Sequence, residues 1–439
     1  MIRFTRAQIQ PIGVDIGSDS VKLLQMEIVE NTLAVIAAAR RQLPISARSD
    51  DLADRTAAAA ELIRQMIRQN PFSSRRIVAA LPREIVHVKN LRLPLMPIDE
   101  LQSAIEFEAK NIFPFDPRDA HLRFLHAGEV RQGVDARQEV IVLAAKRSEI
   151  DTFVCQLHRC GAVIESLDFE PAAIYRSVER FIRRREDEQD VQVLVDIGGT
   201  RTQVVIGRGD HISFYKPIEI GGQHLRDAVS RKLGITVDEA QALRRRLIEA
   251  GGTAQASPDE VRRDPVRQAV FDATRSIMES LANEVSLCLR YHSVTFRGHR
   301  PTKLRIVGGE ASDLQLLSVF NAAIPIPTEA GRPLHSVDTS RMRPIDRRGF
   351  MSEWTAAFGL SLKMTNQRFG SRDGKQRNPL APRPELGGSA EVIDLTAAMT
   401  ASTIGEAPSS KKTSDATPEP SSTSAATLAA ARFHEVVHA

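Results

Sequence analysis

The sequence is short of several things at once. Its 439 residues include only three cysteines, Cys155, Cys160 and Cys288. They form no CxxC pair and their odd number does not suit a disulfide framework, so all three are expected to be reduced and buried. The eleven histidines are scattered, with no HExxH or comparable metal spacing. Apolar runs such as VIVLAA at 140–145 fall far short of the ~20 residues that a membrane-spanning helix needs. The first strand begins too early for a secretion signal, and the expectation is a cytosolic protein. A GxxxxGK[ST] motif is absent and the Gly-rich loops do not lead into helices, which disfavours a Walker-type P-loop and a dinucleotide fold. The arginine runs 183–185 and 244–246 lack interleaved aromatics, so they read as solvated faces and not as a nucleic-acid platform. A net charge of +4 with 26% charged residues of both signs does not by itself predict nucleic-acid binding, and leaves contact with an anionic membrane surface open.

What is present is a repeat. GVDIGSDSVKLLQM at 13–26 places an aspartate between apolar residues, then a short Gly/Ser loop, then a second apolar run. VLVDIGGTRTQVVI at 193–206 has the same outline. After each, the order of elements also recurs: three antiparallel strands, helical material, then a fourth strand, RRIVAALP at 75–82 in the first half and TKLRIVGGEA at 302–311 in the second. A duplication about a pseudo-twofold axis would bring the two turns face to face. With 42% hydrophobic residues the chain has room for about two to four domains. We expect a first core unit from 8–83 and 163–190, with 84–162 inserted as a subdomain carrying a helix at 97–113 and a strand at 139–145. A second core unit takes 191–222 and 301–365, with 223–300 as a helical cap that breaks at GGTAQASPDE. From about 366 the composition turns to Pro, Ser, Thr, Ala and Gly, which predicts a disordered tail at 366–439.

The two turns suggest phosphate chemistry. Glycine permits the backbone angles that aim successive N–H groups inward as an anion nest. Gly17, Ser18, Asp19 and Ser20 are candidates for one nest, with Lys22 near the terminal phosphates, and Gly198, Gly199, Thr200, Arg201 and Thr202 for the other. Asp15 and Asp196 enter these turns from apolar strands, where a carboxylate can hold Mg²⁺ through its waters. Glu170, before Pro171, stands at a strand-to-helix junction: either it orients a water for attack, or it is a helix N-terminal acid favoured by the macrodipole. VGGEA at 307–311 follows the fourth strand of the second unit, where close approach to a flat base or ribose needs small residues. AAIYRS at 172–177 and TAAFGLS at 355–361 are helical stretches with small residues suited to a close crossing, as a hinge between halves or as tight core packing. Trp354 reads as core.

VDIGSDSVK, EPAAI, VDIGGTRT and VGGEA, in this order, resemble the phosphate-1, connecting, phosphate-2 and adenosine motifs of the actin-like ATPase superfamily. The insert with FEAKNIFPFDP at 107–117, the IGGQHL segment at 220–225 and the closing helix are similar to the PilM family of type IV pilus assembly, with FtsA a relative in domain plan. The likeness spans about residues 12 to 364. It implies an α/β actin-like ATPase fold of two duplicated ribonuclease-H-like units with inserted subdomains. It also implies ATP and Mg²⁺ as ligands, Asp15 and Asp196 at the metal, and Glu170 as the catalytic, water-orienting position of a slow ATPase. Gly221, Gly222, Glu239, Arg244, Gly308, Gly309 and Glu310 would lie near the adenosine. Two departures stand out: Glu310 replaces a frequent third Gly, and Arg244 a frequent Lys.

The resemblance further implies a partner, the cytoplasmic N-terminal peptide of a PilN-like inner-membrane protein, held in a groove beside the insert. Phe107, Phe113 and Phe115 are the groove candidates, with a core role as the alternative for the IFPF phenylalanines. Membrane contact would then be indirect, the protein being cytoplasmic and peripheral at the inner membrane, with no nucleic acid bound and self-association left open. An FtsA-like division or cytoskeletal polymer would call for a strong C-terminal amphipathic helix, and AATLAAARFHEVV offers only a thin apolar stripe. A small-molecule kinase of the same superfamily would need a base facing a sugar pocket, and no convincing candidate is found.

Overall fold

The structure is a computed structural model describing residues 7–30, 32–48, 51–132, 135–182, 187–251, 264–296 and 300–365. The tail after 365, the break in the cap and the arginine run at 183–185 lie outside the described residues.

Among the described residues, thirteen strands form three sheets. β1 (Gln8–Ile16) is buried over six successive positions because it is central, pairing antiparallel with β2 (Ser20–Val29) on one side and parallel with β4 (Arg76–Ala80) on the other. β3 (Thr32–Gln42) and β8 (Val163–Asp168) complete the order β3-β2-β1-β4-β8. The second half repeats it: β11 (His211–Ile218), β10 (Thr202–Arg208), β9 (Val191–Ile197), β12 (Leu304–Gly308) and β13 (Thr328–Ala330) lie side by side in that order. The repeated order, three antiparallel strands then two parallel ones, is the duplicated architecture of the actin-like ATPase fold.

Between β4 and β8 runs a third, antiparallel sheet in the order β5 (His87–Pro94), β7 (Asp135–Lys146), β6 (Ala120–Gln132). Its strands alternate in period two, so both faces are used. Val140, Val142 and Ala144 pack with Leu101, Ile105 and Ala109 of α2 (Ile98–Ile112). Ile141 and Leu143 face the other way, into a core shared with α4 (Glu170–Glu179) and with Ile212 and Tyr215 of β11. α1 (Leu52–Gln69), capped by Asp51, and α3 (Arg147–Leu157) cover the first sheet's side. α5 (Gly222–Leu233), α6 (Val237–Gly251) and α7 (Pro265–Thr295) form the helical part of the second half, followed by α8 (Leu314–Ala323). The last described helix, α9 (Thr355–Ser361), is buried at every position, and fully buried Trp354 precedes it, a core residue as expected.

Cys160 and Cys288 are buried as expected, but Cys155 is exposed. It sits on the outer face of α3, opposite the stripe of Ile150, Phe153, Val154 and Leu157 that the helix buries. Among the described residues no helix is long and apolar enough to cross a membrane.

Candidate functional site

The two Asp-bearing turns close alike. Gly17 N–H donates to the Ser20 carbonyl at 3.0 Å, and Gly198 N–H to the Arg201 carbonyl at 2.9 Å. Across the first hairpin Asp15 pairs in register with Lys22, whose ammonium lies 2.7 Å from its carboxylate. Across the second, Asp196 pairs with Gln203. The tips touch: a Cβ on Gly199 would lie 2.2 Å from Ser18 Oγ and 2.7 Å from Asp19 Oδ2, so a larger residue there would have to push those side chains aside. Each tip is also held by an arginine of the opposite half. Arg83, just after β4, donates to Thr200 Oγ1 at 2.6 Å, and Arg226 of α5 pairs with Asp19 at 3.0 Å. Arg201 instead turns outward to Glu219, at 2.6 Å, while the Thr202 hydroxyl donates to the Ile220 carbonyl and Ser20 is buried.

Behind the tips three carboxylates converge. Glu170 opens α4 and accepts a 2.8 Å hydrogen bond from Gln203 Nε2. Burial, then the charges of Asp196 and Asp15, push its carboxyl up to about 7. Burial and the Asp15 charge push Asp196 up to about 6, against the pull of Lys22 and Arg83. Three carboxylates thus share a buried site with the cations of Lys22 and Arg83, an arrangement that suits a divalent cation. Among the described residues no three His, Cys, Asp or Glu side chains are spaced to chelate a metal directly. A hydrated Mg²⁺, held by one or two carboxylates and a ligand's phosphates, fits that donor set.

The raised carboxyl has a measurable consequence without metal or nucleotide. Between pH 4.5 and about 7 the folded chain keeps a proton on Glu170 that the unfolded chain has released, so stability falls as pH rises through that window. Glu170→Gln removes this slope and keeps a partner for Gln203. Urea denaturation in chelator should find the variant more stable than wild type at pH 8, by on the order of 2 kcal/mol, with the gap closing below about pH 4.5.

Among the residues expected near an adenosine, α5 begins against the second turn: Gly222 N–H donates to the Gly198 carbonyl at 2.9 Å and Gln223 N–H to the Gly199 carbonyl at 2.6 Å. A Cβ on Gly221 would meet Arg201 N at 2.6 Å, and one on Gly222 would meet Glu310 Oε1 at 2.3 Å. Gly308, at φ +89, brings the loop after β12 against Asp196, and Gly309 has open space around it. Arg244 is buried and donates to Glu310 Oε2 at 2.7 Å and to Asp313 Oδ2 at 3.1 Å, while Asp313 also caps α8. Burial opposes ionisation of Glu310, yet Arg244, with Arg226 behind it, holds the carboxyl below its usual range. Glu239 does not join this group. Its exposed carboxylate accepts from Thr236 N–H and Oγ1, both at 2.8 Å, closing the first turn of α6.

The three phenylalanines also part company. Phe113 is buried in the core between α2 and the third sheet, because α2 ends at Ile112 and the extended Phe113 turns inward. Phe115 stacks on it at 5.7 Å and is half-buried. Phe107, on the side of α2 opposite the core stripe, is 65% exposed. Of the groove candidates, Phe107 is the most exposed, Phe115 offers part of its ring, and Phe113 is corrected to a core residue.

Three residues of the site, Arg83, Gln203 and Arg226, were not foreseen. Gln203 had a signal, since the duplication maps it onto Lys22. Arg83 and Arg226 had none, because their partners lie 117 and 207 positions away.

The family model for type IV pilus assembly protein PilM matches residues 13–365. Among solved structures, a PilM-PilN type IV pilus biogenesis complex aligns with TM-score 0.65 and 22% identity, covering 80% of this chain and 98% of that one. Ethanolamine utilization protein EutJ from Carboxydothermus hydrogenoformans aligns with TM-score 0.48 and 14% identity over 84% of this chain and 93% of its own. MreB5 of Spiroplasma citri bound to ADP aligns with TM-score 0.41 and 12% identity over 82% and 96%.

Proposed function

The chain belongs to the PilM family of type IV pilus assembly proteins, and from that premise we propose that its cleft binds ATP with Mg²⁺ and that nucleotide state is coupled to docking of a PilN-like partner. The observation that carries the first half is the pair of matched Asp-bearing turns touching at their tips, with Glu170 and both aspartates gathered behind them. Backbone N–H groups of Gly17 to Ser20 and of Gly198 to Thr202 would cradle the phosphates, with Lys22 beside them. Asp15 and Asp196 would hold Mg²⁺ through its waters; when bound, the ion supplies charge to neutralise phosphate oxygens. Gly221, Gly222, Gly308, Gly309, Arg244 and Glu310 would border the adenosine.

Glu170, hydrogen-bonded to Gln203, would orient a water and accept its proton at the carboxylate oxygen. With one such group, turnover is expected to be slow. Calorimetry with Mg-ATP tests the reading: Asp15→Ala and Asp196→Ala should each weaken binding at least about tenfold, the loss of one charge-assisted contact. Wild-type affinity in both variants would overturn it.

For the partner, the PilM-PilN complex motivates the occupant, the cytoplasmic N-terminal segment of a PilN-like inner-membrane protein, through which this chain would reach the membrane. On the inserted subdomain Phe107, Ile98 and Leu95 are exposed apolar side chains. Phe107→Ala should weaken binding of such a peptide about five- to hundredfold, from about 1–3 kcal/mol of lost apolar contact, without changing the melting temperature. Phe113→Ala should instead lower the melting temperature. Full affinity in Phe107→Ala would place the peptide elsewhere.

A further inference from the structure

The cations of the clamp are already spoken for. Lys22 pairs with Asp15 inside its own hairpin, but Arg226 reaches across to the other half. Its Nη1 lies 3.0 Å from Asp19 Oδ2 and its Nη2 donates to Oδ1 at 3.3 Å, a two-pronged grip. Arg226 is only 7% exposed, and a guanidinium so buried requires an anion. It also stands at the opening turn of α5, with Nη1 3.4 Å from where a Cβ on Gly222 would be. The first N–H groups of that helix are consumed by the Gly198 and Gly199 carbonyls. The positive charge this end of α5 offers to an incoming anion is therefore Arg226's.

Asp19 is the odd member of the turn it occupies. It matches Thr200 in the duplicated turn, a neutral hydroxyl, and a carboxylate at that tip repels a polyphosphate if it stays in place. Yet a carboxylate presents two oxygens to an arginine fork in the way phosphate does. We propose that Arg226 is a phosphate ligand of this cleft and that the Asp19 carboxylate is its internal stand-in, so that polyphosphate binds by displacing Asp19 from Arg226. The exchange removes one of the two arginine contacts that tie a turn tip to the opposite half, leaving Arg83 to Thr200 as the other, and so makes occupancy of the cleft felt where the two tips meet. The proposal rests on the nucleotide reading above only for the identity of the anion.

The test is calorimetry on the full chain with two probes, Mg-ATP and inorganic triphosphate, for wild type, Asp19→Asn, Arg226→Gln and the double variant. Asp19→Asn alone is not decisive, since it also relieves through-space repulsion. The decisive comparison is Arg226→Gln in the Asp19→Asn background. There the arginine no longer faces a charge at position 19, and its loss should cost at least about tenfold in affinity, more than the same change costs in wild type. An Arg226 that serves only as a structural partner of Asp19 would leave the affinity of Asp19→Asn unchanged, and that result overturns the proposal. If triphosphate follows the expected pattern while ATP does not bind, the exchange stands and the nucleotide reading fails. If ATP binds but is indifferent to Arg226, the reverse holds, and if no variant binds either probe both fail. Should Asp19→Asn not melt cooperatively, Asp19→Ser, which places a hydroxyl where Thr200 has one, replaces it in the same cycle.

Discussion

Asp168→Ala is expected to lower the unfolding free energy by about 3–5 kcal/mol, the usual result of withdrawing one partner from a buried ionic cluster. The side chain is 1% exposed and its two oxygens serve different elements. Oδ2 lies 2.9 Å from Arg176 of α4, and Oδ1 lies 2.8 Å from Lys363, just beyond α9, and also accepts the Phe169 N–H at 2.9 Å. Arg176 donates in turn to the Gly359 carbonyl at 2.9 Å. Burial raises the Asp168 carboxyl, but Lys363 and Arg176 outweigh it and hold the group below its usual range. A depressed carboxylate contributes stability above its unfolded pKa and loses it as pH falls through the folded value, so the gap between variant and wild type should narrow below about pH 3.8. Urea midpoints at pH 7 and pH 3 measure both effects. A loss under about 1 kcal/mol at pH 7 would mean that the cluster is not what fastens α4 to α9.

That cluster marks the boundary of what the sequence discloses. The repeat of Asp-bearing turns, the order of strands and helices and the small residues at both closing helices were legible, because each is a local pattern with a fixed period. Partners across the duplication were not. Asp168 looks like an ordinary strand-end acid, and nothing near it in sequence announces Lys363, 195 positions later. Glu239, expected near the adenosine, stands apart from Arg244 and Glu310 and caps its own helix, and the local signal for that was present: Thr236 and Glu239 have the spacing of a capping box. Phe113 was ambiguous for a different reason. The apolar run around Pro114 has no period, and only the end of α2 decides which ring points inward. Arg244 and Glu310, read separately as departures, turn out to be one ion pair.

Gly359→Ala is expected to cost about 3 kcal/mol or more, at or above the upper end of ordinary overpacking. A Cβ there would lie 1.8 Å from the Ala173 carbonyl oxygen and 2.5 Å from its carbon, both backbone atoms of α4 that cannot rotate away. Relief requires α9 to move off α4, and its other side is closed as well, since a Cβ on Gly13 of β1 would lie 1.9 Å from the Ala357 carbonyl. The helix is thus wedged between α4, which carries Glu170, and β1, which carries Asp15. Any shift that accommodates the methyl must alter the spacing of those two carboxylates. Gly309→Ala is the control, because nothing lies within 4 Å of a Cβ at that position and its stability should stay within about 0.5 kcal/mol of wild type. Chemical denaturation of both variants compares the two positions for packing alone. If Gly359→Ala is as stable as Gly309→Ala, the crossing is loose and α9 is not the wedge between the two carboxylates.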